Sequence, residues 1–238
     1  MLAVTLFVAV AAASTSVKTP CSSGSGSQTS ATAPTYTTSP NFRLVASVKK
    51  NDLSPSIDDW TVSTYHLGAC YEAAVMTPSD TDDEDYGRTF YANGTNSDIQ
   101  DGKGDIVTDG ATPPTPYGFT VPQLDQTDDD DRRAVQIICG EGTPGVAITR
   151  SSNSRPHLIY NDQAGNETFG GWYACNAALG PDNEVILYYR SSEEETPDGC
   201  ADLILYPECV SNGSSVAPNA QAGPCYPNVP AINDDGSQ

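Results

Sequence analysis

From Asn41 onward, apolar and polar residues alternate along the chain with the period of two that is typical of β-strands. In the first run, Phe42, Leu44, Ala46 and Val48 fall on one face, which predicts a strand with that face buried. Shorter runs follow that are rich in Val, Ile, Tyr and Thr, residues that suit a pleated sheet. These runs are residues 60–65, 89–92, 106–108, 118–121, 135–139, 146–149, 157–160, 171–175, 185–189 and 202–206.

Residues typical of turns separate these runs and support the strand prediction. Val185, Ile186 and Leu187 are apolar on both faces, which indicates a central strand. The predicted turns are Asn93-Gly94, Asp109-Gly110, residues 140–142, residues 181–183 and residues 197–199.

One segment, Ala69–Met76, has a composition that a helix would also accept, although Gly68 and Pro78 limit such a helix to about two turns. Short strands at this spacing predict an all-β fold, a single antiparallel β-sandwich or barrel. A body of about 190 residues is within the range of one such domain.

The N-terminal region differs from the body. Residues 1–13 are almost entirely apolar and end in three alanines, which predicts a secretory signal peptide, although no Lys or Arg precedes Lys18. This stretch is shorter than the roughly 20 residues that span a bilayer. Residues 14–40 are rich in Ser and Thr and are expected to form a disordered linker rather than a strand on the body. The predicted β domain is then 41–226, followed by a tail, 227–238.

The chain has seven cysteines, and six of them lie in the predicted domain. Six cysteines allow fifteen pairings. None is spaced as CxxC, which disfavours a zinc or thioredoxin-like site, so disulfides formed in an oxidising compartment are expected. Cys21 lies in the linker and is the odd cysteine that such pairing leaves over.

Three sequons support export and N-glycosylation, at Asn93, Asn166 and Asn212. Each is expected on a turn with an exposed side chain.

The formal net charge of −20, from 31 acidic and 11 basic residues, opposes binding to nucleic acids or anionic membranes. The acidic runs at residues 80–85 and 125–131 are interpreted as solvated loops rather than calcium sites, because neither has EF-hand spacing. No metal site is therefore predicted. Arg132-Arg133 is interpreted as a surface loop rather than a processing site.

The search for catalytic residues finds few candidates. A Ser-His-Asp triad would need His66 or His157, yet no GxSxG or HExxH motif occurs, and both histidines are interpreted as structural. Gly140–Gly145 is interpreted as a hairpin turn rather than a phosphate loop, so no cofactor is predicted. A carboxylate pair that hydrolyses glycosides stays open, because sequence does not select two of the acids.

Aromatic residues raise the alternative of a binding protein. Trp60, Trp172 and twelve tyrosines could stack on sugar rings if they were exposed, but such residues more often fill a β core. Trp172 is interpreted as a core residue, with Gly170 and Gly171 permitting close backbone approach.

Several stretches resemble a family of uncharacterised secreted proteins of filamentous ascomycete fungi. They are FRLVASV, LSPSIDDWTVSTYHLGA, FYANGT, FGGWYAC, LYYR and GCADLILYPEC, and they span most of residues 41–209. The resemblance implies a domain of unknown function and a layout similar to small fungal cell-wall proteins. It implies an extracellular, wall-associated or host-facing role and supplies no catalytic residues.

Cys175–Cys200 is the first disulfide expected, because these cysteines bracket the hairpin-like unit around residues 185–189 and belong to the resembling stretches. Cys209–Cys225 would tie down the Pro-rich end of the chain, and Cys70–Cys139 follows by elimination, leaving Cys21 free or paired between molecules. The function expected is non-catalytic binding at the cell surface or to a ligand such as a carbohydrate, with wall polysaccharide or a host protein as the partner. A secreted hydrolase and a host-interacting effector or antigen are the alternatives.

Overall fold

The computed structural model describes residues 35–79, 87–110, 114–123, 126–128, 130–149, 155–179, 181–210 and 219–230. Within these residues the chain is almost entirely β-structure. Its first half contains β1 (Thr37–Ser39), β2 (Phe42–Lys50), β3 (Thr61–Gly68), β4 (Tyr71–Thr77), β5 (Phe90–Asn93), α1 (Asn96–Gln100), β6 (Asp105–Gly110) and β7 (Thr115–Thr120). Its second half contains β8 (Arg133–Ala134), β9 (Gln136–Cys139), β10 (Val146–Ile148), β11 (Leu158–Tyr160), β12 (Phe169–Leu179), β13 (Asp182–Ser191), β14 (Cys200–Cys209), β15 (Ala220–Gln221) and β16 (Gly223–Cys225).

Nine strands close into an antiparallel barrel. The circuit runs from β2 through β5, β6, β7, β9, β4, β13, β12 and β14 and back to β2. Phe42 opposite Phe90 joins β2 to β5, and Val185 opposite Met76 joins β13 to β4. The predicted all-β fold is confirmed, and of the two architectures considered it is the barrel.

Alternate residues of the long strands lie on two different apolar faces. In β12, Trp172 and Ala174 belong to the main core, whereas Tyr173 and Cys175 belong to a second cluster on the opposite face. The same division occurs in β13, so the strand predicted to be central is buried on both sides. Trp172 is only 1% exposed, which confirms its assignment to the core.

The helical alternative for Ala69–Met76 is wrong, because these residues form most of strand β4. Ala74 and Met76 face the main core, while Ala73 and Val75 face the second cluster. Burial on both faces removes the polar positions that would have shown the period of two. The short helix α1 lies elsewhere, where Thr95 and Asp98 form a reciprocal capping box.

Both ends of the predicted domain extend further than expected. Thr37–Ser39 falls within the predicted disordered linker, yet it forms strand β1 and pairs with β16. Beyond the predicted C-terminal boundary, Val229 is 3% exposed and packs with Val45, Tyr206 and Tyr226. Residues 14–34 of the predicted linker, which include Cys21, and the predicted signal peptide lie outside the described residues.

Three disulfides occur among the described residues: Cys70–Cys139, Cys175–Cys200 and Cys209–Cys225. They are the same pairs that the sequence analysis expected. Cys175 and Cys200 lie opposite each other on β12 and β14, and Cys209–Cys225 ties β14 to β16. Disulfides of this number are typical of extracellular proteins. In the described part of the chain, no helix is long and apolar enough to cross a membrane.

Candidate binding pocket

A cavity of about 650 Å³ opens beside the barrel, where three segments meet. The segments are the end of β7 with the loop after it, residues 138–144, and the loop 161–168 that joins β11 to β12. Its volume is that of an ordinary small-molecule site. The polar side chains that line it are Thr120, Gln123, Gln126, Glu141, Thr143, Tyr160, Asp162, Asn166 and Glu167.

Tyr160 is the aromatic member of this pocket. Its ring packs edge-on against Tyr189, with the centroids 5.3 Å apart, so its orientation is fixed by the core. Burial, and then the negative charges of Asp162 and Glu167, raise the pKa of Tyr160 to about 12. The hydroxyl therefore stays protonated and donates a long hydrogen bond of 3.5 Å to Asp162 Oδ1.

Asp162 organises the loop that forms one wall. Its carboxylate accepts hydrogen bonds from the backbone N–H groups of Ala164 at 2.9 Å, Asn166 at 2.6 Å and Glu167 at 3.1 Å. These bonds hold the pKa of Asp162 below its usual value, with the bond from Ala164 contributing most. The loop is thus preorganised by a single ionised side chain.

Glu167 is held by an ion pair with Arg133 of strand β8. Nη1 of Arg133 lies 2.9 Å and 2.7 Å from the two carboxylate oxygens of Glu167, and Nη2 lies 2.7 Å from Glu194 Oε2. The guanidinium also lies 4.5 Å from the centre of the Tyr189 ring. Burial alone would lower the pKa of Arg133, but the hydrogen bonds to the two carboxylates outweigh it and raise that pKa.

Asp105 supports the opposite wall from beneath. Its Oδ2 accepts a 2.5 Å hydrogen bond from the N–H of Gly142, and its Oδ1 accepts one of 2.8 Å from Asn93 Nδ2. Burial raises the pKa of Asp105, and these hydrogen bonds offset only part of that rise. A side chain at Gly142 would place its Cβ 2.7 Å from the Ile106 carbonyl, so the loop approaches β6 too closely for any residue but glycine.

The expected exposure of Asn93 is therefore wrong. Its side chain is 8% exposed, and its amide is hydrogen-bonded to the buried Asp105 at the end of β5. Asn166, in contrast, is exposed on the loop as expected. Asn212 lies outside the described residues.

The two histidines are not brought together. His66 is exposed on β3, whereas His157 precedes β11 and its Nδ1 donates to the Arg155 carbonyl at 2.7 Å. The hydrogen-bond partners described for His157 are Arg155 and Thr149, not a carboxylate. The arrangement is not that of a catalytic triad.

The acidic runs and the dibasic pair have structural partners where they are described. Asp128 and Asp130 form ion pairs with Arg132, and Arg133 is 3% exposed within β8 rather than part of a surface loop. No group of metal-ligating side chains occurs among the described residues. The run at residues 80–85 lies outside them.

Sequence reasoning missed the residues that shape the pocket. Tyr160 lies in a predicted strand, Arg133 was interpreted as part of an exposed dibasic pair, and Asp162 and Glu167 were not singled out. Asp162 in the polar stretch NDQAGNET offered a local signal, because Asp often caps its own loop. The pairing of Glu167 with Arg133 had no local signal.

These features define a disulfide-linked, all-β barrel protein with a polar side pocket. A model of the family described as Domain of unknown function (DUF7907) matches residues 39–209, and the chain belongs to that family. It is also similar to "Antigenic protein SchS34" of Stachybotrys chartarum, with 29% identity over 229 residues that cover 84% of this chain and 91% of the relative. No solved structure matches the chain significantly. The resemblance to an uncharacterised fungal family is thereby confirmed.

Proposed function

We propose that this protein is a secreted, non-catalytic binding protein whose pocket takes a neutral carbohydrate of the fungal cell wall. The three disulfides support an extracellular location. The observation that carries the proposal is the composition of the pocket: the ring of Tyr160 stands among carboxylate and amide groups.

This set of groups suits a sugar. Carboxylates accept hydrogen bonds from hydroxyl groups, and the amides of Gln123 and Gln126 both donate and accept. An aromatic ring offers an apolar face to the C–H groups of a sugar ring. The negative charge of Glu141 and Asp162 disfavours an anionic ligand.

The partners of Asp162 and Glu167 favour binding over hydrolysis. A glycosidase needs one carboxyl group that stays protonated, with a raised pKa. Asp162 has a lowered pKa and accepts hydrogen bonds from three backbone N–H groups, and the charge of Glu167 is compensated by its ion pair with Arg133. Asp105, which lies beneath the pocket wall, has a raised pKa, but it is 7% exposed and is committed to Gly142 and Asn93.

The test is a screen of the labelled, folded protein against β-glucan, chitin and mannan oligosaccharides. The proposal would be supported if the protein were retained on one class of oligosaccharide, if the Tyr160→Ala variant were not retained on it, and if the Tyr71→Ala variant still were. Tyr71 is a matched control, because it is an exposed tyrosine on β4 that does not line the pocket. Retention on no class, or turnover of an oligosaccharide by the unmodified protein, would refute it.

A second role, recognition by a host immune system, is supported by the printed name of the relative from Stachybotrys chartarum. It is compatible with sugar binding, because a disulfide-linked barrel presents a stable surface to antibodies. Sera from exposed hosts should bind the folded protein more strongly than its reduced and alkylated form. If the sera bound neither form, this role would be excluded.

A further inference from the structure

Asn166 combines two properties, because it lines the Tyr160 pocket and is also the asparagine of the sequon Asn166-Glu167-Thr168. Both Asn166 and Thr168 are exposed. Asn93, the other sequon asparagine among the described residues, is 8% exposed and is not accessible to a glycan. A glycan on the amide of Asn166 would therefore begin at the wall of the pocket.

The backbone that carries Asn166 is held on both sides. Its N–H donates to Asp162 Oδ2 at 2.6 Å, and the Thr168 carbonyl accepts the N–H of Ser192 at 2.8 Å. Glu167, between them, is held by the ion pair described above. Because the attachment point is fixed, less freedom remains to be lost when the first sugars of a glycan enter the pocket.

The chemistry of the pocket suits the core of an N-glycan, which consists of N-acetylglucosamine and mannose and carries no charge. The negative charges of Glu141 and Asp162 therefore do not repel it. The amides of Gln123 and Gln126 match its hydroxyl and acetamido groups as hydrogen-bond partners. The pocket also offers apolar surface to the acetamido methyl group, at Val121, Pro122, Ile138 and Pro144.

Attachment gives this glycan an advantage over any free sugar. A ligand that is tethered by a short linker reaches an effective concentration in the millimolar range. A free oligosaccharide then binds only those molecules whose pocket is open, and its apparent Kd rises by the inverse of their fraction. A pocket that is open in about a tenth of the molecules therefore binds free sugar about tenfold more weakly.

We propose that the N-glycan of Asn166 occupies the Tyr160 pocket of its own chain and closes it to free oligosaccharides. The consequence for free sugars rests on the function proposed above, whereas the occupancy itself requires only the glycan and the pocket. Trimming of this glycan by a glycosidase is then the event that opens the pocket. Glycosylation of Asn166 thus regulates the site.

The test compares four forms of the protein secreted from a eukaryotic host, with the glycan on Asn166 verified by glycopeptide mass spectrometry. They are the unmodified protein, Thr168→Ala, which lacks the sequon, Thr168→Ser, which keeps it, and Thr168→Ala combined with Ala178→Thr. The last substitution creates a sequon at Asn176, which is exposed on β12 and lines a different cavity, so it moves the glycan away from the pocket. Thermal melts verify that each form is folded.

Two measurements are made on each form. NMR detects nuclear Overhauser contacts between the Tyr160 ring and the protons of the glycan. Calorimetry measures the affinity for N,N′-diacetylchitobiose, the disaccharide at the base of the glycan core. Contacts are expected in the unmodified protein and in Thr168→Ser, and diacetylchitobiose should bind at least about tenfold more tightly to the two forms without a glycan on Asn166.

Absence of a glycan from Asn166, or absence of contacts between that glycan and Tyr160, would overturn the proposal. Weak binding by the form whose glycan is moved would also overturn it, since any glycan would then have the same effect. Equal, measurable affinity of all four forms would refute the closing of the pocket and leave the proposed sugar binding standing. If the glycan contacted Tyr160 while Thr168→Ala bound no chitin, β-glucan or mannan oligosaccharide, the proposed function would be refuted and occupancy by the glycan would stand.

Discussion

Arg133 and Glu167 lie 34 residues apart in the chain, yet they form an ion pair of 2.7 Å in which Arg133 is 3% exposed. This pair connects strand β8, which is paired with β13 of the barrel, to the loop that forms one wall of the pocket. The loop between β11 and β12 is thus anchored at Glu167 by the barrel and organised internally by Asp162. The pocket therefore depends on the barrel for its shape.

Replacing Arg133 with Met should destabilise the protein by about 3–5 kcal/mol, because Glu167, 11% exposed, would be left buried without its cation. Chemical denaturation measures this change. Lys103→Met is the control, since the pair of Lys103 with Asp101 is exposed and should contribute at most about 1 kcal/mol. A similar, small effect of both substitutions would contradict the anchoring role of Arg133.

Asp105 and Asp162 should titrate on opposite sides of the ordinary aspartate pKa of 3.8, Asp105 above it and Asp162 below it. Asp162 then stabilises the fold above pH 3.8, and its contribution is lost as the pH falls through its lowered pKa. Asp105 acts oppositely. Because its pKa is raised, the folded protein binds its proton more tightly than the unfolded chain does. This contribution to stability is lost as the pH rises from 3.8 through the raised pKa. Carboxyl ¹³C NMR titration measures both, and the reverse order would contradict the burial of Asp105 and the backbone hydrogen bonds to Asp162.

N-glycosylation is proposed at Asn166 and not at Asn93 in the folded, secreted protein. The Asn93 amide is buried and donates to Asp105, so an attached glycan could not be accommodated there. Glycopeptide mass spectrometry should find Asn166 modified and Asn93 bare, and Thr168→Ala should remove the Asn166 glycan. A glycan on Asn93 in correctly folded protein would show that β5 ends differently from the structure.

Non-reducing peptide mapping should link Cys70 to Cys139, Cys175 to Cys200, and Cys209 to Cys225. Replacing Cys175 and Cys200 together with Ala should cost about 3 kcal/mol, as expected for a closed loop of this length. A peptide joining Cys21 to any of these six cysteines would contradict this scheme.

The strands could be predicted because one-sided burial leaves an alternating pattern, as in Phe42, Leu44 and Ala46 of β2. Prediction failed at Ala73–Met76 because both faces are buried there, and the alternation that distinguishes a strand from a helix is lost. The ends of the domain were misjudged because β1 and Val229 are ordered by contacts with distant residues.

The pocket was harder to predict than the fold. The local sequence Asn93-Gly94 is typical of a turn and predicts an exposed side chain. The burial of Asn93 is explained by its hydrogen bond to Asp105 on the next strand. Glu167 appears in the sequence as one acid among 31, and its role follows from a contact with Arg133 that sequence spacing does not reveal. Long-range pairing of this kind is a property of the closed barrel.

Calorimetric titration determines whether the pocket around Tyr160 binds a neutral sugar. The oligosaccharide on which the protein is retained is titrated into the unmodified protein, Tyr160→Ala and Tyr71→Ala, all produced without N-glycans because Asn166 lines the pocket. Saturable binding is expected for the unmodified protein and for Tyr71→Ala, and binding at least about tenfold weaker for Tyr160→Ala. Equal affinity of all three folded proteins would refute sugar binding at Tyr160.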